Sequence, residues 1–318
     1  KTIHRLLEMG YDPDGRAAFN RNDFDLLDEQ IIIVDEASMI DSALMCALLK
    51  AIKPGARLII IGDSDQLPSV GAGNVLRDII ESGRFATVRL CEIFRQAQES
   101  LIVTNAHAIN RGEMPNLAVK DKDFFFLRRR APEALVETVV GLCKQRLPDN
   151  MGIPAGEIQV LSPTRKGVCG TVNLNRALQG ALNPPAANKR QKLWGDLLLR
   201  QGDRVMQTRN NYDLEWESTS RSGFGIFNGD IGIVRSADRA NDRLEVDFDG
   251  RIANYDTDML KRVEHAYAVT IHKSQGSEYP AVIIPLPNGM DKLTYRNLLY
   301  TAVTRARNIL IVIGSPSK

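Results

Sequence analysis

The sequence is short of several things, and each shortage closes a class of explanation. Its four cysteines, Cys46, Cys91, Cys143 and Cys169, are scattered, with no C-x-x-C pair. That spacing argues against a zinc ribbon or a dithiol redox centre and suits buried or inert thiols in a reducing, cytoplasmic setting. No run of 18 or more apolar residues occurs, so no segment reads as a membrane-spanning helix. Neither sign of charge dominates, the net being +2, so a nucleic-acid partner has to be judged from local charge and not from the total. Glycine is never followed by lysine. The G-x-x-x-x-G-K-[ST] loop, which cradles nucleotide phosphates on backbone N–H groups, is therefore missing from these 318 residues. The chain opens Lys1-Thr2-Ile3-His4, with no methionine and no secretory pattern. Such an opening is expected where a start has been removed or where numbering begins inside a longer protein.

What is present is an alternation of short β-branched runs with helical stretches, the pattern of a parallel sheet covered by helices. Gln30 to Asp35 and Leu58 to Gly62 are continuous apolar runs, expected to be central strands buried on both faces. Between them Ser42 to Ile52 has helical spacing, stopped by Lys53-Pro54-Gly55. A second set of strands is expected at Phe124 to Leu127, Ile158 to Leu161, Ala281 to Pro285 and Ile309 to Gly314. Inside that set, residues 203–209, 231–236, 243–249 and 251–256 read as short strands separated by the turn signals Asn228-Gly229-Asp230 and Asp249-Gly250. They predict a small β-barrel inserted into an α/β domain. Residues 210–224 are polar enough to be expected mobile.

Polar motifs follow the predicted strands. Asp35-Glu36-Ala37-Ser38 ends the first run; a carboxylate there can hold Mg²⁺ through water while its neighbour orients an attacking water. The plain alternative is a polar strand end before a helix start. Gly62-Asp63-Ser64-Asp65-Gln66-Leu67-Pro68 ends the second, with Gln66 an amide able to sense a γ-phosphate, or else a turn satisfying its own backbone. Phe94-Arg95-Gln96 offers one arginine, by itself an ordinary surface charge. His272-Lys273-Ser274-Gln275-Gly276-Ser277-Glu278 follows the strand-like Tyr267 to Ile271 and has the hydroxyl, amide and glycine content that suits close approach to phosphates. Tyr300-Thr301-Ala302-Val303-Thr304-Arg305-Ala306-Arg307 is expected on a helix leading into the last strand. Arg305 there is favoured as a finger on a transferring phosphoryl group, whereas Arg307 can be an exposed helix-end cation.

Taken in order, DEAS, GDSDQLPSVG, FRQ, HKSQGSE and YTAVTRAR resemble motifs II to VI of superfamily 1 helicases. TIHRLL, GDSDQLPSVGAGNVLRD, QTRNNYD, FNGDIG and YAVTIHKSQGSEYPAVIIPL carry the resemblance toward the RecD branch across nearly the whole chain. The motif III stretch supplies no base-stacking aromatic until Phe85, which also fits that branch. The resemblance implies two RecA-like parallel-sheet domains of P-loop NTPase fold. The first, 1–112, would be incomplete; the second, 113–202 and 263–318, would carry a Src-homology-3-like barrel at 203–262. It further implies ATP and Mg²⁺ as cofactors, with Asp35 on the metal and Glu36 polarising the hydrolytic water. Gln66, Arg95 and Arg305 would contact the γ-phosphate, and Gly276 and Glu278 would lie at the nucleotide. His272, Ser274 and Gln275 would link nucleotide state to single-stranded DNA, along which such enzymes move 5′ to 3′ in recombination or repair.

The same resemblance implies that the chain starts after motifs I and Ia, because TIHRLL lies downstream of the P-loop in that family. A first domain without its central strand is expected to leave apolar sheet surface exposed, and the 318 residues alone are expected to lack ATPase activity. The whole protein would be a stand-alone helicase, a recombination-nuclease subunit or the helicase part of a relaxase, acting as a monomer or in a hetero-complex without a membrane. A second reading is a non-catalytic nucleic-acid-binding or assembly module that keeps the fold. Arg204, Arg209, Arg235 and Arg243 on the barrel either steer DNA or are simply solvated.

Overall fold

The computed structural model describes the chain except for residues 12–13, 15–16, 91–98, 119–121, 239–242, 289–294 and 316–318. It divides into two compact units, Lys1–Phe94 and Arg95–Lys318.

The first unit is built on a parallel pair, Ile31–Val34 beside Arg57–Ile60. The intervening helix Ser42–Ala51 starts where the Asp41 carboxylate accepts from Leu44 N at 2.8 Å and ends as Ile52 turns extended before Lys53-Pro54. Its Met45, Leu48 and Ala51 pack on Ile32 and Val34, with Leu27 and Leu76 completing the core. The strands do not match the expectation of burial on both faces. Ile31, Ile33, Ile59 and Ile61 are 45–63% exposed, because among the described residues helices cover one side of the pair only. Side chains alternate across a strand, so half of each apolar run faces outward whatever its composition.

The second unit contains a five-stranded, all-parallel sheet in the order Ala268–Thr270, Ile158–Ser162, Tyr279–Leu286, Ala306–Gly314, Phe124–Arg128. On one face Leu135, Val139, Leu174 and Leu178, from the helices Pro132–Gly141 and Thr171–Leu182, pack against Val160, Ile283 and Ile311. Helices Leu101–Arg111 and Arg296–Val303 pack against one another and against the strand Ala306–Gly314. The helix Leu101–Arg111 thus packs with the second unit. It is held there by Asp123, whose carboxylate accepts from Leu101 N at 2.8 Å and from the Ser100 hydroxyl at 2.5 Å.

Seven antiparallel strands form the insertion: Ser222–Ile226, Asn211–Glu217, Arg251–Tyr255, Arg243–Phe248, Ile231–Asp238, Arg204–Gln207 and Val263–His265, in that spatial order. Asp249 and Gly250, both with positive φ, make the tight turn expected there. Two expectations need correction. Where residues 210–224 are expected mobile, the strands Asn211–Glu217 and Ser222–Ile226 form a hairpin, because Leu214 is buried and Trp216 packs on the core; a Cβ on Gly223 would fall 2.6 Å from the Trp216 indole. The insertion also begins before 203: the hairpin Gln191–Trp194 and Leu197–Arg200 packs Trp194, Leu197 and Leu199 on the same core.

Asp203, fully buried, joins insertion to sheet. Its carboxylate accepts from Gln179 Nε2 (2.5 Å), Arg200 N (2.7 Å), Asn183 Nδ2 (2.7 Å) and the Tyr267 hydroxyl (3.0 Å), with His265 Nε2 at 3.3 Å. Burial alone would raise its pKa; the bonds from His265 and Asn183, the His265 field and the Arg200 amide outweigh it and hold the carboxyl below its usual range.

Candidate nucleotide and nucleic-acid elements

In the first unit Asp35 and Glu36 leave the end of the strand Ile31–Val34. Asp35 is exposed, and its Oδ1 accepts from Glu36 N at 2.8 Å. Glu36 adopts φ 53°, ψ 40°, a left-handed conformation that costs a non-glycine residue about 1–2 kcal/mol. Ile61 N donates to Val34 O at 2.8 Å and Ala37 N to Ile61 O at 3.0 Å, so the two strand ends are zipped side by side. Gly62 is required by this approach, since a Cβ there would meet Ala37 N at 2.9 Å. The Asp63 carboxylate then organises the next turn, accepting from Asp65 N (2.9 Å) and Gln66 Nε2 (3.3 Å). Asp35, Glu36 and Gln66 are therefore carried by the C-terminal ends of adjacent parallel strands. The Ser38 hydroxyl beside them is buried and has no hydrogen-bond partner among the described residues. Arg95 lies outside the described residues.

In the second unit the expected strand Tyr267 to Ile271 is Ala268–Thr270, followed by a 3-10 turn Ile271–Ser274. Ser274 is fully buried and donates to Ile271 O at 2.8 Å, so this residue, expected to couple to DNA, holds the turn closed and offers no hydroxyl to solvent. His272 is exposed at the turn, with its pKa lowered by partial burial, and Gln275 follows it. Gly276 has φ 72°. Arg305 is not on the helix as expected but in the turn after it, where the backbone leaves Thr304 for the last strand. It is 4% exposed, and its guanidinium donates to Thr301 O (3.0 Å), Ser277 O (3.0 Å) and Thr304 Oγ1 (3.1 Å). Glu278, exposed, accepts from Arg307 Nε at 2.8 Å. The structure thus brings Ser277 and Glu278 against Arg305 and Arg307.

One cluster escaped the sequence reading. Glu264 accepts from Arg165 Nη2 and from Lys273 Nζ, each at 2.8 Å, so a single carboxylate aligns two cations beside the turn Ile271–Ser274. The available signal was Ser162-Pro163-Thr164-Arg165-Lys166-Gly167, another polar, glycine-bearing turn after a buried strand.

Two of the four barrel arginines are engaged within the fold. Arg204 is spent on the carbonyls of Gly156 and Ile158, both at 3.0 Å, with burial lowering its pKa; Arg235 pairs with Glu245 at 3.8 Å. Arg209 and Arg243 are exposed. Residues 203–262 hold twelve acidic and nine basic side chains, a net charge of −3. Cys143 and Cys169 are buried, which pushes their thiols up to about 12 and about 11, whereas Cys46 is exposed. Among the described residues no cluster of three His, Cys, Asp or Glu side chains could hold a metal, and no helix is long and apolar enough to cross a membrane.

Comparison with known proteins finds three family matches along the chain. Residues 1–125 match a family model described as an AAA domain, 174–248 the ATP-dependent RecD-like DNA helicase SH3 domain, and 265–313 a UvrD-like helicase C-terminal domain. The chain is 37% identical to the ATP-dependent RecD2 DNA helicase of Deinococcus radiodurans, over 99% of this chain and 40% of that protein. It is 32% identical to the RecBCD enzyme subunit RecD of Mycolicibacterium smegmatis, over 100% of this chain and 55% of that protein. The fold resembles a Bacteroides Pif1 helicase solved with ADP-AlF3 and single-stranded DNA, with a TM-score of 0.56 at 18% identity, covering 98% of this chain and 78% of that one. The chain thus spans about half the length of the curated relatives it matches. With an acidic strand-end pair in one unit and a RecD-type SH3-like insertion in the other, this chain is similar over nearly its whole length to the RecD/RecD2-like DNA helicases.

Proposed function

We propose that the chain is the motor portion of an ATP-dependent DNA helicase that translocates 5′ to 3′ on single-stranded DNA in recombination or repair. The observation that carries this reading is the zipped pair of strand ends, which presents Asp35, Glu36 and Gln66 from neighbouring strands of one parallel sheet. Mg²⁺ bound with a nucleotide takes most of its ligands from water and phosphate, so one exposed carboxylate, Asp35, suits it. When bound, ATP and Mg²⁺ supply the transferable phosphoryl group and its charge neutralisation. Glu36 would orient and deprotonate the attacking water, and Gln66 and Arg95 would contact the γ-phosphate. Gly276 and Glu278 would lie at the nucleotide. Three of the five guanidinium N–H groups of Arg305 are engaged inside the domain, leaving two that would meet a phosphate. His272 and Gln275 would meet the DNA strand, with Ser274 maintaining their turn. Recombination-nuclease subunits are proposed as partners, on the strength of the RecD subunit relatives.

These 318 residues hold no P-loop, and we expect the chain alone to hydrolyse no ATP. ATP turnover would be measured with and without single-stranded DNA, for this chain and for a version extended by a RecD-type P-loop segment. The extended protein should turn over ATP and lose roughly 10³-fold or more on Arg305→Ala. Turnover by the chain alone would contradict the reading; silence of both proteins would favour a non-catalytic module.

A further inference from the structure

The inserted sheet buries one face in its own core and leaves the other to solvent. On the outer face the register sets Phe224 opposite Glu215 on the neighbouring strand. A second row runs across the strands: Glu217 stands opposite Ile252, Ile252 opposite Asp247, and Asp247 opposite Ile233. Acid and apolar side chains therefore alternate along a line perpendicular to the strands. Phe224 is 65% exposed and Ile233 45%.

A single exposed apolar residue needs no explanation, but apolar groups repeating between carboxylates over adjacent strands mark an interaction surface. The face also carries Arg243, and Arg235 paired with Glu245, but Glu215, Glu217, Asp247 and Glu245 outnumber them, so it disfavours a phosphate backbone. Strands lie about 4.8 Å apart, so the row from Glu217 to Ile233 is about 14 Å long, extended further by Phe224 and Glu215. Like groups therefore recur every second strand, about 9.6 Å apart; two turns of a helix advance about 10.8 Å, whereas an extended chain returns the same face every ~6.7 or ~13.4 Å. We infer that this face docks a basic amphipathic helix of a protein partner, about three turns long, with apolar residues on every second turn and Lys or Arg on the turns between. Electrostatic complementarity selects the partner, and Phe224, Ile252 and Ile233 anchor it. The inference does not depend on ATP hydrolysis.

The test titrates the 318-residue chain into a labelled 16-residue helical peptide with leucine and lysine on alternate turns of one stripe, read by fluorescence anisotropy. A peptide of identical composition scrambled to remove the helical period, and one with glutamate replacing lysine, serve as controls. The helical basic peptide should bind at least tenfold more tightly than either control. Glu217→Lys should weaken it about tenfold and Phe224→Ser about fivefold, with Glu215→Lys as a second charge reversal should either variant fail to fold. Equal binding of the scrambled peptide, indifference to the charge reversals, or competition by a single-stranded oligonucleotide would each overturn the inference. So would a dimer of this chain that Phe224→Ser dissociates, because the face would then belong to a second copy.

Discussion

The strand Ile31–Val34 alternates between exposed and buried residues, whereas Tyr279–Leu286, of similar apolar character, is buried at every position from Ala281 to Pro285. Each is a parallel strand of an α/β unit ending in polar residues. The difference lies in the number of layers: the first unit offers its pair of strands helices on one side, and the second packs its five strands on both. The site groups divide the same way. Asp35 and Glu36 stand at an open strand end, while Ser274, Arg305 and Asp203 are buried and fixed by hydrogen bonds. A polar residue in such a motif can thus stand open to solvent in one unit and hold the scaffold in the other.

This contrast can be broken by substitution. The largest effect is expected at Asp203→Ala, which strands Gln179, Asn183 and Tyr267 without their common acceptor and should destabilise the second unit by about 3–5 kcal/mol. Hydrogen exchange resolved by unit would show it, with the first unit unchanged. Because the folded pKa of Asp203 lies below its unfolded value, its contribution is present above about pH 4 and is lost as pH falls through the lower folded pKa. Acid unfolding of Asp203→Asn should accordingly show a weaker pH dependence in that window. Next, Ile283→Ala should cost about 2–5 kcal/mol, while the same change at Ile33 should cost no more than about 0.5 kcal/mol. Equal costs would mean that the outer face of the first sheet is covered, and the comparison would fail. The smallest change should be a gain: Glu36→Gly relieves the left-handed backbone and should stabilise the first unit by up to about 1 kcal/mol in urea unfolding. In a P-loop-bearing version it should abolish hydrolysis.

Much of this was legible beforehand. Asp249-Gly250 and Asn228-Gly229-Asp230 sit at turns as their chemistry requires, and the order of strand-end motifs pointed to the helicase family before any coordinate. The hairpin 211–226 was not legible, because its acids alternate with Leu214 and Trp216 and composition averages the two faces into a polar segment. The Glu264 clamp was hidden for a different reason: Arg165 lies 99 residues away in sequence, and only the parallel sheet brings them together. Arg204 read as a surface charge because sequence does not reveal which carbonyls a long side chain will meet.

The sequence by itself determined most strands of the parallel sheets, the glycine turns and the family resemblance, since periodicity, glycine placement and motif order are local properties of the chain. Tertiary structure alone decided which face of each strand is covered, which arginines are spent inside the fold and which carboxylates line the outer sheet. Those outcomes depend on partners distant in sequence, and an unpaired buried charge or uncovered apolar face is a property of the assembled layers.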